Sequence, residues 1–515
     1  MDGQSLFLVL AAFGAYLILM IGIGVYFSTR TQNSSEYFLG GRGLGGWVAA
    51  LSAQASDMSG WLLMGLPGAI YISGTGQIWI AVGLLIGTAL NWIFIASRLR
   101  RYTIRANNSV TLPQYFKNRF HDDSNSLLAI SSVIIVIFFL VYTASSLAAG
   151  GKLFYTIFGI DYRVALSIGM AVILLYTVLG GFLAVCVTDF IQGTLMLIGL
   201  MVVPILAWTF ISGGLGGKLA ESGVNAQAFL SPFMNDGKPL SFIGILSQLA
   251  WGLGYCGMPH ILIRFMAVKN EKELNSAKSI GIIWCTISLG FACFIGVLGR
   301  AYLMPTILGA TGAASSENVF IEMILKLFTA DIYLPFIGGL FLCGILAAIM
   351  STADSQLLVT ASAIAEDFYK GVIRRNKDED DRKVLRISKI TVFVVAVLAY
   401  LIALNPESSV MALVSDAWAG FGSAFGPVVL LSLYWKRANL PGAAACMAGG
   451  ALTVILWDYI PLAGGQTLSN STGIYSLLVG FFVGLVLMVV VSLMTKAPDA
   501  SIVREFEEAV ENKAE

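Results

Sequence analysis

A carboxylate set among hydroxyls and glycine inside an apolar run is the first place to look for chemistry in this chain. The stretch ALSAQASDMSGWLLMGLPG, residues 50–68, carries Asp57 near the middle of a segment apolar enough to cross a membrane. Ser52, Gln54, Ser56, Ser59 and Gly60 surround it, and Gly65, Pro67 and Gly68 follow. Glycine is a poor interior helix residue and proline removes a backbone donor. Unwound backbone at membrane depth is tolerated only where it is buried in protein or lines a cavity, and an ionisable group there marks function. Freed carbonyls and hydroxyls are hard ligands that suit a small, hard cation, whereas the amides at a half-helix start suit a carboxylate. The plainer reading, Asp57 as an acceptor between helices, is outweighed by the joint presence of carboxylate, hydroxyls and glycine.

WGLGYCGMPH, Trp251 to His260, repeats the theme with Gly252, Gly254, Gly257 and Pro259. Trp251 and Tyr255 would share one face if the helix held. Alone, the segment reads equally well as aromatic packing with small residues for close helix contact. A third stretch, GILAAIMSTADSQ from Gly344 to Gln356, offers Ser351 and Thr352. By themselves, two such hydroxyls are ordinarily back-bonding residues of a membrane helix.

These residues need elements to hold them. The chain has 515 residues, 57% hydrophobic and 12% charged, with a formal net charge of +1. That is too little charge to cover a soluble protein of this size and gives no electrostatic case for nucleic acid. Thirteen spans are expected, at 6–27, 44–72, 76–98, 125–149, 163–184, 190–213, 240–262, 274–302, 334–363, 386–404, 409–435, 440–462 and 470–495. Gly180, Gly181 and Asp189 support the turn between the fifth and sixth. The first run lacks a basic leader and a cleavage site, so it reads as a retained helix.

All but six of the 31 Lys and Arg fall on one side if the N-terminus is outside: Lys152, Arg163, Lys218, Lys238, Arg300 and Lys326 are the exceptions. Arg30, Arg42 and Arg264 are assigned to inner loops. The bias fixes an outside N-terminus and an inside C-terminus. The run RRNKDEDDRKVLRISK, 374–389, reads as a solvated loop. The tail beyond residue 496 has a short helical pattern of Ile502, Phe506 and Val510 and no room for a catalytic domain. Six scattered cysteines read as small buried thiols, and two histidines make a zinc site improbable. No nucleotide-binding fingerprint is present, so uphill transport would draw on an ion gradient. There is no paired nucleophile and base, so no enzyme is expected.

The two interrupted spans lie five apart and therefore cross in opposite directions, the pattern of an inverted-repeat transporter. The expected organisation is a first helix and inner loop at 1–43, repeat one at 44–213 and an outer loop at 214–239. Repeat two follows at 240–435, two further spans at 436–495 and a cytoplasmic tail at 496–515.

SAQASDMSGWLLMGLPG, YTVLGGFLAVCVTDFIQG, WGLGYCGMPHIL, AAIMSTADSQLL and AFGPVVLLSLYWKRANLPGA, in this order, closely resemble the sodium/solute symporter family over about 1–500. The resemblance implies an all-α, leucine-transporter-like core of five plus five inverted helices, working by alternating access in a bacterial inner membrane. It implies inward co-transport of sodium with one organic solute. Similarity to the proline-carrying bacterial members makes L-proline the expected cargo, with pantothenate, a sugar or another amino acid as alternatives. A sensor built on the same core is the reading from another class. The resemblance implies a sodium site from the carbonyls of Ala55, Met58 and Ala348 and the hydroxyls of Ser351 and Thr352, organised and coupled by Asp57. It places Ser59, Gly60, Tyr142, Trp251, Tyr255 and Pro259 around the solute. Asp189 resembles an acidic residue of the inner ion pathway, with a helix-end cap as the equal alternative.

Overall fold

Strings of some twenty apolar residues must satisfy their own backbone polar groups, and the helix is how a single segment does so. The computed structural model describes residues 1–515 except 29–37, 180, 313–314, 375–380, 462–463 and 512–515. Arg30, Gly180, Lys513 and the early part of the 374–389 charge run lie outside the described residues.

Among the described residues, ten helices are long and apolar enough to cross a membrane. In chain order the elements begin with α1 (Gly3–Ser28), α2 (Gly46–Asp57), α3 (Trp61–Ser73), α4 (Thr75–Arg105) and α5 (Leu112–Arg119). Next come α6 (Ser126–Phe158), α7 (Tyr162–Leu179), α8 (Phe182–Thr209) and the short α9 (Leu215–Glu221) and α10 (Ala226–Phe229). A small hairpin pairs β1 (Met234–Asn235) with β2 (Lys238–Pro239). Then follow α11 (Phe242–Leu249), α12 (Pro259–Ala267), α13 (Glu271–Tyr302), α14 (Val319–Lys326) and α15 (Pro335–Ile373). The last are α16 (Asp381–Ala403), α17 (Val410–Tyr434), α18 (Leu440–Tyr459), α19 (Leu468–Thr472), α20 (Ser476–Met494) and α21 (Ala500–Glu511).

The packing places the two interrupted segments at the centre. Helix α2 lies against α8, α13 and α15, while the 250–257 segment lies against α4 and α17. Helix α6 bridges these groups by touching both α15 and α17. The α15 window of highest hydropathy is 83% buried inside the protein, as is that of α17, against 28% for α1 and 33% for α20. Protein therefore surrounds α15 and α17, and α1 and α20 face outward.

Three expectations change. The boundary between the fifth and sixth spans lies earlier than 184–190, because Gly181 adopts an extended backbone and α8 starts at Phe182. Asp189 is therefore two turns inside α8, and the helix-end cap is excluded. Arg264, assigned to a loop, is buried in α12. Lys152, counted on the outer side, is 1% exposed, and its Nζ lies 2.6 Å from Glu317 Oε2. The Glu317 carboxylate also accepts the Val410 and Met411 amides at 3.1 Å each, so it caps α17. A buried charge needs such partners.

The tail is a docked helix. In α21, Phe506 packs edge-on against Tyr102, and Glu505, Glu507 and Glu508 pair with His121, Lys436 and Arg105. The segment between α8 and α11 is likewise structured, since Asp236 N bonds to Ser73 O and Trp79 Nε1 to Pro232 O. At the turn before α2, Arg42 donates to Met266 O at 2.6 Å and Ser109 O at 2.7 Å. Burial, with Arg100 nearby, pushes its pKa down to about 10. Five cysteines are buried, Cys256 is half-buried, and all six are free.

Candidate functional site

The first break follows from local covalent chemistry. Pro67 has no amide hydrogen, so the Leu63 carbonyl loses its normal helical partner. The preceding turn, Trp61–Gly65, widens to compensate, and Leu66 N bonds to Trp61 O, five residues back. Upstream, α2 stops at Asp57, and Met58 leaves the helical region at φ −83°, ψ 72°. Gly60 sits where a Cβ would come within 2.8 Å of Ala149 Cβ, so only glycine lets α6 approach. The break is wholly buried: Asp57 and Ser59 are 1% exposed and Met58 is 0%.

The oxygens it frees meet other oxygens. Ser351 Oγ donates to Ala55 O at 2.8 Å and to Ala348 O at 3.2 Å, and Thr352 Oγ1 reaches Ala55 O at 3.4 Å. Asp57 O accepts Trp61 Nε1 at 2.9 Å and Tyr142 Oη at 3.5 Å. Asp57 Oδ2 accepts Tyr255 Oη at 2.7 Å, whereas Oδ1 has no protein partner. A fully buried carboxylate oxygen left bare is a costly arrangement that a cation relieves.

The second break is longer. Residues Ala250–Gly257 wind as a 3₁₀ helix, and Met258 is extended before Pro259 opens α12. Trp251 and Tyr255 therefore do not share an α-helical face; with three residues per turn they diverge. Trp418 joins them instead. Its Nε1 donates to Trp251 O at 2.8 Å, and its ring meets Tyr255 edge-on at 5.1 Å. Trp251 stacks on Tyr475 at 5.2 Å. Asn91 Nδ2 donates to Tyr255 O at 3.1 Å. A Cβ on Gly254 would lie 2.0 Å from Trp418 Nε1, so this glycine makes room for the indole.

Asp189 belongs to an adjoining network. Its Oδ2 accepts Ser52 Oγ at 2.7 Å, Ser56 Oγ at 3.1 Å and Arg264 Nη2 at 3.2 Å. Arg264 Nη2 also donates to Ser355 Oγ at 2.6 Å, and Ser355 reaches Ser56 at 3.1 Å. All five side chains are buried.

The structure thus gathers Ala55, Asp57, Ala348, Ser351 and Thr352 with Tyr142 and Tyr255. Met58, Ser59 and Gly60 lie in the first break, and Ser59 Oγ accepts Trp61 N at 3.4 Å. Trp251 connects through Trp418, Pro259 opens α12, and Asp189 stands one step away through Ser56. Sequence reasoning missed Trp61, Asn91, Arg264 and Trp418. Arg264 carried a signal, a lone cation in the apolar run HILIRFMAV. Asn91 and Trp418 carried none, because they act through tertiary contact, and Trp61 acts on Asp57 O four residues back, a bond that no residue type announces.

The family model described as Sodium:solute symporter family matches residues 37–450. The chain belongs to the sodium:solute symporter family. It is 45% identical over 498 residues to the osmoregulated proline transporter OpuE of Bacillus subtilis, covering 97% of each chain. It is 44% identical over 491 residues to a sodium/proline symporter of Staphylococcus aureus, covering 95% of this chain and 93% of that one. Among solved structures, a Na⁺-coupled sialic acid symporter in a substrate-bound outward-open state is similar with a TM-score of 0.74 at 20% identity, over 96% and 99% of the two chains. Mhp1, a nucleobase-cation-symport-1 family transporter in a closed conformation, gives 0.52 at 13% identity, over 93% and 99%. These two likenesses speak for the fold alone. With its apolar spans, this symporter-family chain is a multi-pass membrane protein.

Proposed function

We propose that this chain imports L-proline together with sodium, by alternating access of a leucine-transporter-like core in a bacterial plasma membrane. One observation carries the reading: an oxygen cluster on one broken helix is tied by Asp57 and Tyr255 to an aromatic-lined break on another. The proline carriers among its relatives supply the cargo.

In this reading sodium binds the carbonyls of Ala55, Met58 and Ala348 and the hydroxyls of Ser351 and Thr352. The hydroxyls that now donate to carbonyls turn their lone pairs to the ion, at little conformational cost. Asp57 supplies negative charge and carries the event to Tyr255 through their shared proton. Ser59, Gly60, Tyr142, Trp251, Tyr255 and Pro259 surround the solute, and Asp189 lies on the ion's exit path. Repeats at 44–213 and 240–435, thirteen crossings, an outside N-terminus and an inside C-terminus complete the arrangement. The helical pieces near each expected span and the lysine and arginine bias support it.

Linkage makes the coupling reciprocal, so each ligand raises the other's affinity by one factor. One charge crossing the full field contributes about 2.3 kcal/mol per 100 mV. A neutral zwitterion moving with it is concentrated roughly fiftyfold per 100 mV. The test is labelled proline uptake into vesicles containing only this protein, with an inward sodium gradient and a potassium control. Accumulation with sodium alone is expected; equal uptake with potassium would end the proposal. Excess pantothenate or sugar suppressing uptake better than proline does would reassign the cargo.

A further inference from the structure

His260 is a buried polar side chain that the account so far leaves unused. It is 0% exposed, the backbone of Ser56 lies beside its ring, and neither ring nitrogen meets a protein partner in good hydrogen-bonding geometry. Its ring is held edge-on by Phe139 at 5.5 Å and by Tyr142 at 6.1 Å, and Tyr142 is the residue whose hydroxyl reaches Asp57 O. It sits at the start of α12, directly after Pro259. The amides of Ile261 and Leu262 both turn to Met258 O, at 3.1 and 3.0 Å. His260 stands at the second helical position, where the helix offers its amide no acceptor.

We infer that His260 is a solute-contacting residue, donating a ring N–H to the carboxylate of a zwitterionic solute at the N-terminus of α12. The inference rests on the proposed solute class. Two considerations choose the carboxylate over the ammonium group. A helix N-terminus carries positive potential, which favours an anion and repels a cation. Arg264, one turn further along the same helix, donates Nη1 to His260 O at 2.7 Å and is neutralised by its ion pair with Asp189, so it leaves that potential unchanged. The complementary bare acceptor, Asp57 Oδ1, lies on the other broken helix, where a cation is welcome. Sodium is a poor occupant of the His260 site, since a hard ion prefers the oxygens of the first break. The N–H of a buried imidazole is unfavourable to leave unpaired, and a carboxylate that arrives with each transport cycle pairs it. The contact distinguishes solutes, because an N–H donor bonds a carboxylate about twice as strongly as a neutral carbonyl.

The experiment compares proline with prolinamide as inhibitors of labelled proline uptake in vesicles, for the unaltered chain, His260→Leu and His260→Gln. His260→Leu is expected to raise the half-saturating proline concentration about tenfold or more and to reduce the preference for acid over amide by a similar factor. Its sodium half-saturation is expected to move less than about threefold. His260→Gln, which retains a donor, recovers part of the preference. An unchanged acid-to-amide ratio in His260→Leu overturns the assignment, since a packing role would weaken both inhibitors alike. Failure of the unaltered chain to take up proline would instead strike the proposed function beneath it. Should neither variant reach the membrane, His121→Gln leaves His260 as the single histidine. Histidine acylation that proline slows and prolinamide does not supports the contact, and equal rates with either compound refute it.

Discussion

The two broken helices differ in what their neighbours do with the exposed backbone. Around the first, Ala55 O and Ala348 O are met by Ser351 and Thr352 hydroxyls, which carry lone pairs as well as a proton. Around the second, Trp251 O and Tyr255 O are met by the N–H groups of Trp418 and Asn91, which only donate. A hydroxyl can rotate and become a cation ligand where it stands; an indole N–H cannot, and the Asn91 amide does so only by flipping and releasing Tyr255 O. In the proposed cycle one break is thus exchangeable and the other fixed, and Tyr255 joins them through Asp57. Interrupted helices of similar sequence character serve different ends because of residues that lie far off along the chain, from Ala55 to Ser351 and from Trp251 to Trp418.

The largest effect expected from breaking this contrast is at Asp57. Asp57→Asn removes the only formal charge from the exchangeable break and is expected to raise the sodium requirement for uptake about 100-fold, or abolish uptake. Sodium titration of transport, with protein abundance checked in membranes, reads it; normal sodium dependence would remove Asp57 from coupling. Next is Gly254→Ala, which drives a methyl into Trp418 and is expected to cost about 1–3 kcal/mol of stability. Thermal unfolding of the purified protein measures this, and an unshifted midpoint would show that the second break is not rigid.

How far the sequence foretold this contrast depends on which kind of contact is asked about. Both breaks were legible, because proline at 67 and 259 acts through the backbone it belongs to, and the clustered glycines at 60 and 254 mark poor helix interior. Asp57 was legible because a carboxylate in an apolar run is costly wherever it folds. The division of labour was not. That Ser351 meets Ala55 across 296 residues, or that Trp418 fills the space left by Gly254, depends on packing that local periodicity does not encode. Arg264 was misread for a related reason, since a positive residue beside an apolar run looks like a loop charge until its buried carboxylate partner is found. The family resemblance supplied the proposed sodium ligands, and the structure brings Ser351 and Thr352 to the Ala55 carbonyl.

Smaller changes sharpen the comparison. Tyr255→Phe cuts the one side-chain bond between the breaks while keeping the ring, and is expected to reduce the stimulation of proline binding by sodium about tenfold. Proline binding with and without sodium measures it; undiminished stimulation would mean that coupling runs by another route. Asn91→Leu leaves Tyr255 O without its donor. The expected cost is about 1 kcal/mol in stability, with the sodium midpoint moved less than about twofold. A larger sodium shift would blur the distinction between fixed and exchangeable.

The most direct measurement is sodium binding to purified protein without solute, by radiolabelled sodium, in the Ser351→Ala, Thr352→Ala double variant and in Asn91→Leu. Saturable binding preserved in Asn91→Leu and weakened at least about tenfold in the double variant is the predicted result. Equal sodium binding by the double variant and the unaltered chain would contradict it.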